Sequence, residues 1–379
     1  MTQSKEVDKF SHWLIHRAGK CLVAGPCSVE SEEQILGTAK ELVPSDVTLL
    51  RGGIWKPRTR PGSFEGIGER GLSWLKRAGR ATNLPVATQV ATPAHVQQCL
   101  NAEIDVLWIG ARTTTSPIAV QEIADSLAGV DIPVMIKNPM NPDLGLWIGA
   151  IERVRRAGIK RVVAVHRGFS THIRHKYRNR PLWNIPLELR HRMPEIPILC
   201  DPSHISGTQL YIASIAQAAL DVGLDGLMIE SHWHPEAALS DPGQQLSPAQ
   251  FGELIGQVIR NSESAVASND RELGNLWRQV DEIDADLITL LSHRVSILRQ
   301  VEASTSEENG ISRKTWASIC ATRLMAATVR QLLGNGESKP GLCVSDCLHR
   351  RTLSGESRKL LLHSETNSNS DSMTAEGTA

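Results

Sequence analysis

Cys27, His204, Glu230 and Asp241 are side chains of the kinds that hold a divalent metal ion, and each stands at or a little beyond the end of a short apolar run. A mixed thiolate, imidazole and carboxylate set suits a borderline ion, Mn²⁺, Fe²⁺, Co²⁺ or Zn²⁺, and argues against Ca²⁺ and Mg²⁺. Such an ion with an open coordination position polarises a carbonyl oxygen. Taken singly, Cys27 reads equally well as a buried thiol and Asp241 as a turn residue before Pro242. Their joint arrival at the ends of apolar runs favours the metal. A second group is cationic: Arg51, Lys56, Arg58, Arg112, Lys137 and Arg167 also sit at or just past such ends. Guanidinium forks match phosphate and carboxylate oxygens and ammonium groups act as point charges, so this convergence implies a polyanionic substrate. Arg60 and most of Arg174, His175, Lys176, Arg178 and Arg180 read instead as solvated surface charges.

Something must bring these residues to one place. Eight β-branched runs recur at 20–24, 47–50, 85–88, 106–109, 134–136, 161–165, 196–199 and 226–229. Stretches with helical apolar spacing separate nearly all of them, for example 30–42, 66–78, 117–127, 144–157 and 208–222. Alternating units of this kind in about 250 residues predict a (β/α)₈ TIM barrel, whose active site lies at the C-terminal ends of the strands. The runs lead in turn to Cys27, Arg51, Gln89, Arg112, Lys137, Arg167, His204 and Glu230. A doubly wound sheet is the alternative, and it normally has fewer strands.

The chain has 379 residues, with Lys+Arg and Asp+Glu equal at 41 each, so no global field draws it to nucleic acid or to an anionic membrane. Residues 1–8 lack an apolar targeting core, and no stretch approaches the roughly 20 apolar residues of a membrane span. Seven cysteines without CxxC spacing suit a reducing compartment. A soluble, cytoplasmic protein is expected. The expected organisation is a barrel over 1–260, a linker over 261–272, a helical segment over 273–301 and an atypical, partly disordered tail over 302–379. In the helical segment Leu276, Val280, Ile283, Leu287, Leu291, Arg294 and Ile297 follow three-four spacing, giving a C-terminal α-helical appendage.

The motifs AGPCS (24–28), RGG (51–53), KPRT (56–59), IGAR (109–112), KN (137–138), HRG (166–168), DPSH (201–204), MIE (228–230) and LSD (239–241) stand in that order. In this combination the chain resembles the class I 3-deoxy-D-arabino-heptulosonate 7-phosphate synthases, above all their short beta-type branch, over about 20–259. The resemblance implies that Cys27, His204, Glu230 and Asp241 bind the metal and that Arg51, Lys56, Arg112, Lys137 and Arg167 hold phosphoenolpyruvate. Arg58 and Thr59 would take the phosphate of erythrose 4-phosphate. A related family, the 3-deoxy-8-phosphooctulonate synthases, acts on arabinose 5-phosphate and carries Asn at the position of Pro57. Pro57 therefore favours the four-carbon sugar. Lys56, Cys27 and His204 are the catalytic candidates. The implied reaction is an addition of phosphoenolpyruvate C3 to the aldehyde, whose oxygen is protonated through Lys56 or a metal-bound water, followed by water addition at C2 and loss of phosphate. Asp201 has two readings, a partner orienting His204 or a helix N-cap.

The segment 276–301 resembles the first long helix of the all-helical chorismate mutases, which some beta-type synthases carry as a regulatory domain. Arg294 matches a helical arginine of that family, whereas Trp277 stands for its first arginine and Thr305 for its catalytic lysine. Beyond residue 301 the family's other helices are missing, which points to a divergent domain or to a shifted reading frame. The resemblance therefore carries a mutase only at the level of a domain. It implies chorismate or prephenate as a feedback ligand and a homodimer or homotetramer. A non-catalytic metal-binding barrel is the competing class, set against by the full complement of donors and cations.

Overall fold

A computed structural model of the chain describes residues 19–58, 62–172, 175–266 and 271–304. Eight parallel strands close into a barrel in sequence order, with β1 paired to β8. They are β1 (Cys21–Gly25), β2 (Leu49–Arg51), β3 (Val86–Val90), β4 (Val106–Ile109), β5 (Val134–Lys137), β6 (Val162–His166), β7 (Ile198–Cys200) and β8 (Gly226–Glu230). Between them run α1 (Glu32–Leu42), α2 (Arg70–Thr82), α3 (Pro93–Asn101), the short α4 (Ala111–Thr114), α5 (Pro117–Ser126), α6 (Leu144–Arg156), α7 (Asn184–Arg192), the short α8 (Pro202–Ser206) and α9 (Ile212–Asp221). After β8 come α10 (Pro248–Val266) and α11 (Arg271–Ser304). This is the expected (β/α)₈ TIM barrel.

Two apolar layers hold it together, and the twofold period of a strand assigns each residue to one of them. Leu22, Ala24, Leu50, Ile109, Ile136, Val162, Ala164 and Ile229 face outward into the layer beneath the helices. Cys21, Val23, Leu49, Ala87, Trp108, Met135, Val163, Val165, Leu199 and Met228 fill the barrel interior. Counting on by two from the inward set gives Arg51, Gln89, Lys137, Arg167, Asp201 and Glu230. The bottom of the barrel is thus an apolar plug and its top a ring of polar side chains. Several strands run slightly past their apolar runs, because the first polar residue still pairs through its backbone while its side chain turns into the mouth.

Gly25 shows how tight that mouth is. It has φ +143°, and a Cβ there would lie 2.0 Å from the Arg51 carbonyl oxygen on β2. Gly25→Ala is expected to lower unfolding stability by about 2 kcal/mol or more, read as a fall of several degrees in melting temperature.

The C-terminal part differs from expectation at its edges. α10 continues to Val266, so the polar stretch from Asn261 begins as helix rather than as linker. α11 extends the expected helix at both ends, from Arg271 to Ser304. The first compact unit of the chain ends at Leu291 and the second begins at Ser292. Val280, Ile283, Leu287, Ile288, Leu290 and Leu291 of α11 are exposed. Thr59, Arg60, Arg174, Thr305 and the tail from 305 lie outside the described residues. Among those described, no helix is long and apolar enough to cross a membrane.

Candidate active site

At the C-terminal end of the barrel, Lys56, Arg58, Arg112, Lys137 and Arg167 line a cavity together with Cys27, His204 and Asp241. Arg51 and Glu230 lie beneath it, fully buried, with Arg51 Nη1 3.2 Å from Glu230 Oε1. Arg51 also donates from Nη2 to the Cys27 carbonyl at 3.1 Å. The indole of Trp108 floors the site: the Arg51 guanidinium lies 4.9 Å and the Lys137 ammonium 5.9 Å from its ring centre. Such contacts are each worth roughly 0.5–2 kcal/mol and reduce the cost of crowding two cations.

Loops complete the wall. Ser28 forms a bridge with Gly53, and Trp55 one with Gly66, which fold the β2–α2 loop over the site. Trp55 stacks on His95 of α3 with ring centroids 3.9 Å apart, anchoring the stretch that presents Lys56 and Arg58. Lys56 Nζ donates to the Cys27 carbonyl and lies 3.0 Å from Cys27 Sγ. Arg58 turns its Nε to the Phe64 carbonyl at 2.8 Å. Asn138 fixes the β5 and β6 ends, accepting the Arg167 N–H at 2.7 Å and donating to the Gly168 carbonyl at 2.8 Å.

The four metal-donor candidates come as two pairs. Cys27 Sγ is 3.5 Å from Asp241 Oδ2, and His204 Nε2 is 3.7 Å from Glu230 Oε1. Two ligands about 2.0–2.3 Å from a tetrahedral ion stand roughly 3.3–3.7 Å apart, so either pair can share an ion. Glu230 Oε1 is fully buried without a hydrogen-bond donor. Among the described residues no three His, Cys, Asp or Glu side chains already stand in finished coordination geometry, so the pairs would have to draw together around an ion. The donor chemistry fits one, as does Glu230 Oε1, which is buried and makes no hydrogen bond beside its ion pair with Arg51.

The charges respond to this crowding. Burial, reinforced by Glu230, pushes the Cys27 thiol up to about 11. Burial also pulls Arg167 down to about 10 and lowers Lys137 and His204 from their ordinary values. For Asp241, burial raises the carboxyl, but Arg178, His204 and Lys56 outweigh it and bring it to about 2.

Asp201, at the inward position after β7, fulfils both of its readings. Its Oδ1 caps α8 by accepting the His204 N–H at 3.1 Å. Its Oδ2 lies 2.8 Å from His204 Nδ1 and accepts from Lys137 Nζ at 2.6 Å. Arg178 is half exposed, as expected of a surface charge, yet both its terminal nitrogens donate to Asp241 Oδ1 at 3.1 Å. Arg180 departs from that expectation: it is mostly buried and pairs with Asp286 of α11. His166 faces outward among Trp147, Phe169 and Trp183, where burial drives it down to about 3, so it is a neutral packing ring.

Residues 14–265 match the DAHP synthetase I family. The chain is 30% identical over 243 residues to the phospho-2-dehydro-3-deoxyheptonate aldolase of Thermotoga maritima, covering 64% of this chain and 70% of that protein. It is 29% identical over 244 residues to a 2-dehydro-3-deoxyphosphooctonate aldolase of Legionella pneumophila, covering 58% and 83%. The crystal structure of the Thermotoga maritima aldolase (DAHP synthase) superposes with a TM-score of 0.59 at 29% identity, covering 65% of this chain and 70% of the other. A truncated form of that organism's 3-deoxy-D-arabino-heptulosonate 7-phosphate synthase gives 0.57 at 26%, with coverage of 66% and 92%. With the family matched across the whole barrel and a fold neighbour that shares its sequence, the chain belongs to the DAHP synthetase I family.

Proposed function

We propose that the barrel condenses phosphoenolpyruvate with erythrose 4-phosphate, giving 3-deoxy-D-arabino-heptulosonate 7-phosphate and inorganic phosphate, the first step of the shikimate route to aromatic amino acids. The observation that carries this reading is the cavity in which five cations face Cys27, His204 and Asp241. Both substrates are phosphate esters and one is also a carboxylate, so the cavity's charge complements theirs. Arg112, Lys137 and Arg167 are assigned to the phosphate and carboxylate of phosphoenolpyruvate, with Arg51 supporting them from below. Arg58 is assigned to the sugar phosphate together with Thr59, which lies outside the described residues. Pro57 supports the four-carbon over the five-carbon sugar.

C3 of phosphoenolpyruvate attacks the aldehyde carbon while Lys56 delivers a proton to the aldehyde oxygen. Water adds at C2, and the hemiketal phosphate so formed loses inorganic phosphate by C–O cleavage. The cations around the cavity stabilise the charge that gathers on the leaving group. A divalent ion, Mn²⁺, Fe²⁺, Co²⁺ or Zn²⁺, held by Cys27, His204, Glu230 and Asp241, would supply Lewis acidity toward the aldehyde oxygen.

The test is phosphate release from phosphoenolpyruvate with erythrose 4-phosphate, with and without a chelator, and with arabinose 5-phosphate as control. Metal-dependent release with the four-carbon sugar alone is expected. Release with only the five-carbon sugar would move the chain to the octulosonate branch, and silence with every sugar and metal would leave a binding role.

For the remainder we infer a barrel over 1–260 in the cytoplasm, assembling as a dimer or tetramer. α11 is read as the first helix of a mutase-type regulatory appendage that bears Arg294 and answers to chorismate or prephenate. The amphipathic pattern of α11 supports an appended helix.

A further inference from the structure

Each of the two carboxylates assigned to the metal has one oxygen already engaged. Glu230 Oε2 accepts from Gln244 Nε2 at 2.6 Å, while Oε1 lies between the Arg51 guanidinium at 3.2 Å and His204 Nε2 at 3.7 Å and makes no hydrogen bond. Asp241 Oδ1 accepts both terminal nitrogens of Arg178, while Oδ2 turns toward Cys27 Sγ. The two engagements are joined, because Arg178 Nη1 also donates to Gln244 Oε1 at 2.6 Å. The next residue, Gln245, accepts the Cys27 N–H at 2.8 Å and donates to the Ser240 carbonyl at 2.9 Å. Gln244 and Gln245 are both fully buried. Asp241 itself has left-handed backbone geometry, φ 47° and ψ 48°, a conformation that costs a non-glycine residue energy and persists where surroundings enforce it.

From this connectivity we propose that Gln244 and Arg178 are positioning residues of the metal centre, which occupy one oxygen of each carboxylate and so present Glu230 and Asp241 as one-oxygen ligands. The inference rests on the metal reading above and deepens it. An amide that spans from one ligand carboxylate to the arginine held on the other makes the two orientations interdependent. Gln245 ties the backbone of a third donor, Cys27, to the same loop. Partners behind the ligands of a metal typically change affinity by 10–100-fold when removed.

The test titrates the metal-free full-length chain with Co²⁺. It reads the dissociation constant by chelator competition and Cys27 ligation by the thiolate charge-transfer absorbance. Wild type, Arg178→Met, Gln244→Met, the double variant and Cys27→Ala are compared, with circular dichroism and melting of the metal-free forms as folding controls. Arg178 is half exposed, so its substitution keeps the test valid if Gln244→Met does not fold. The expected result is affinity weakened by about tenfold or more in each single variant, with the thiolate band retained at saturation and the double variant weakened by less than the product of the two. Arg178→Lys, which keeps the charge but not the fork, should lie between wild type and Arg178→Met. Affinity within twofold of wild type, or tighter, in the folded variants overturns the proposal. Wild-type protein that takes up no Co²⁺, or takes it up as well as Cys27→Ala does, overturns the metal reading and the proposal together.

Discussion

Lys56→Met is expected to lower kcat by about three orders of magnitude, the middle of the range for loss of a positioned general acid. Methionine keeps the length and apolar stem of the side chain, so the loop anchored by Trp55 on His95 has no reason to move. What disappears is the ammonium that lies 3.0 Å from Cys27 Sγ and lines the cavity with Arg58 and Arg112. No other lysine in the described wall is free to replace it: Lys137 is engaged by Asp201 at 2.6 Å. Steady-state phosphate release gives kcat and KM, and a Co²⁺ titration shows whether the metal site survives. If kcat falls by less than tenfold while metal binding is intact, the proton comes from elsewhere and Lys56 serves only as a charge. If metal uptake is lost as well, the ammonium is needed to hold Cys27, and the assignment of proton donor fails to that extent.

Much of this site is legible in the sequence, and the reason is the barrel's arithmetic. Eight β-branched runs, each followed by a reactive residue, leave few places for those residues except the strand ends. Strand parity carries further than run-ends alone. Counting by two from Leu199 reaches Asp201, whereas the run end alone points to His204. The same count separates Arg167, which faces inward, from its neighbour His166, which packs among aromatic rings. Arg178, Gln244 and Gln245 left no comparable signal. They stand on irregular loops, where no period assigns a direction, and an arginine in a basic run looks like a solvated one. Only the fold brings residue 178 against residue 241 and makes a buried amide the link to residue 230.

Asp201→Ala is expected to lower unfolding stability by about 3–5 kcal/mol, the cost of breaking a buried ion pair from one side. Lys137 is almost wholly buried and its ammonium lies 2.6 Å from Asp201 Oδ2. Burial already pulls Lys137 below its ordinary value, and Asp201 is the first group that opposes this. In the other direction, burial raises the Asp201 carboxyl, but His204 and then Lys137 overcome it and hold the group well below the usual range. Alanine therefore leaves a buried cation uncompensated and removes the cap of α8 at the same time. The two contributions can be told apart. A lost N-cap costs typically about 1 kcal/mol and does not depend on the charge at 137. The ion-pair part vanishes when the cation is absent too, so Asp201→Ala with Lys137→Met should be more stable than Asp201→Ala alone, although neither should turn over substrate. Guanidinium unfolding of the wild type, both single variants and the double variant closes the cycle. If the double variant is no more stable than Asp201→Ala, then Asp201 serves mainly the α8 cap and His204, and the charge of Lys137 is balanced by Glu230 across the barrel mouth.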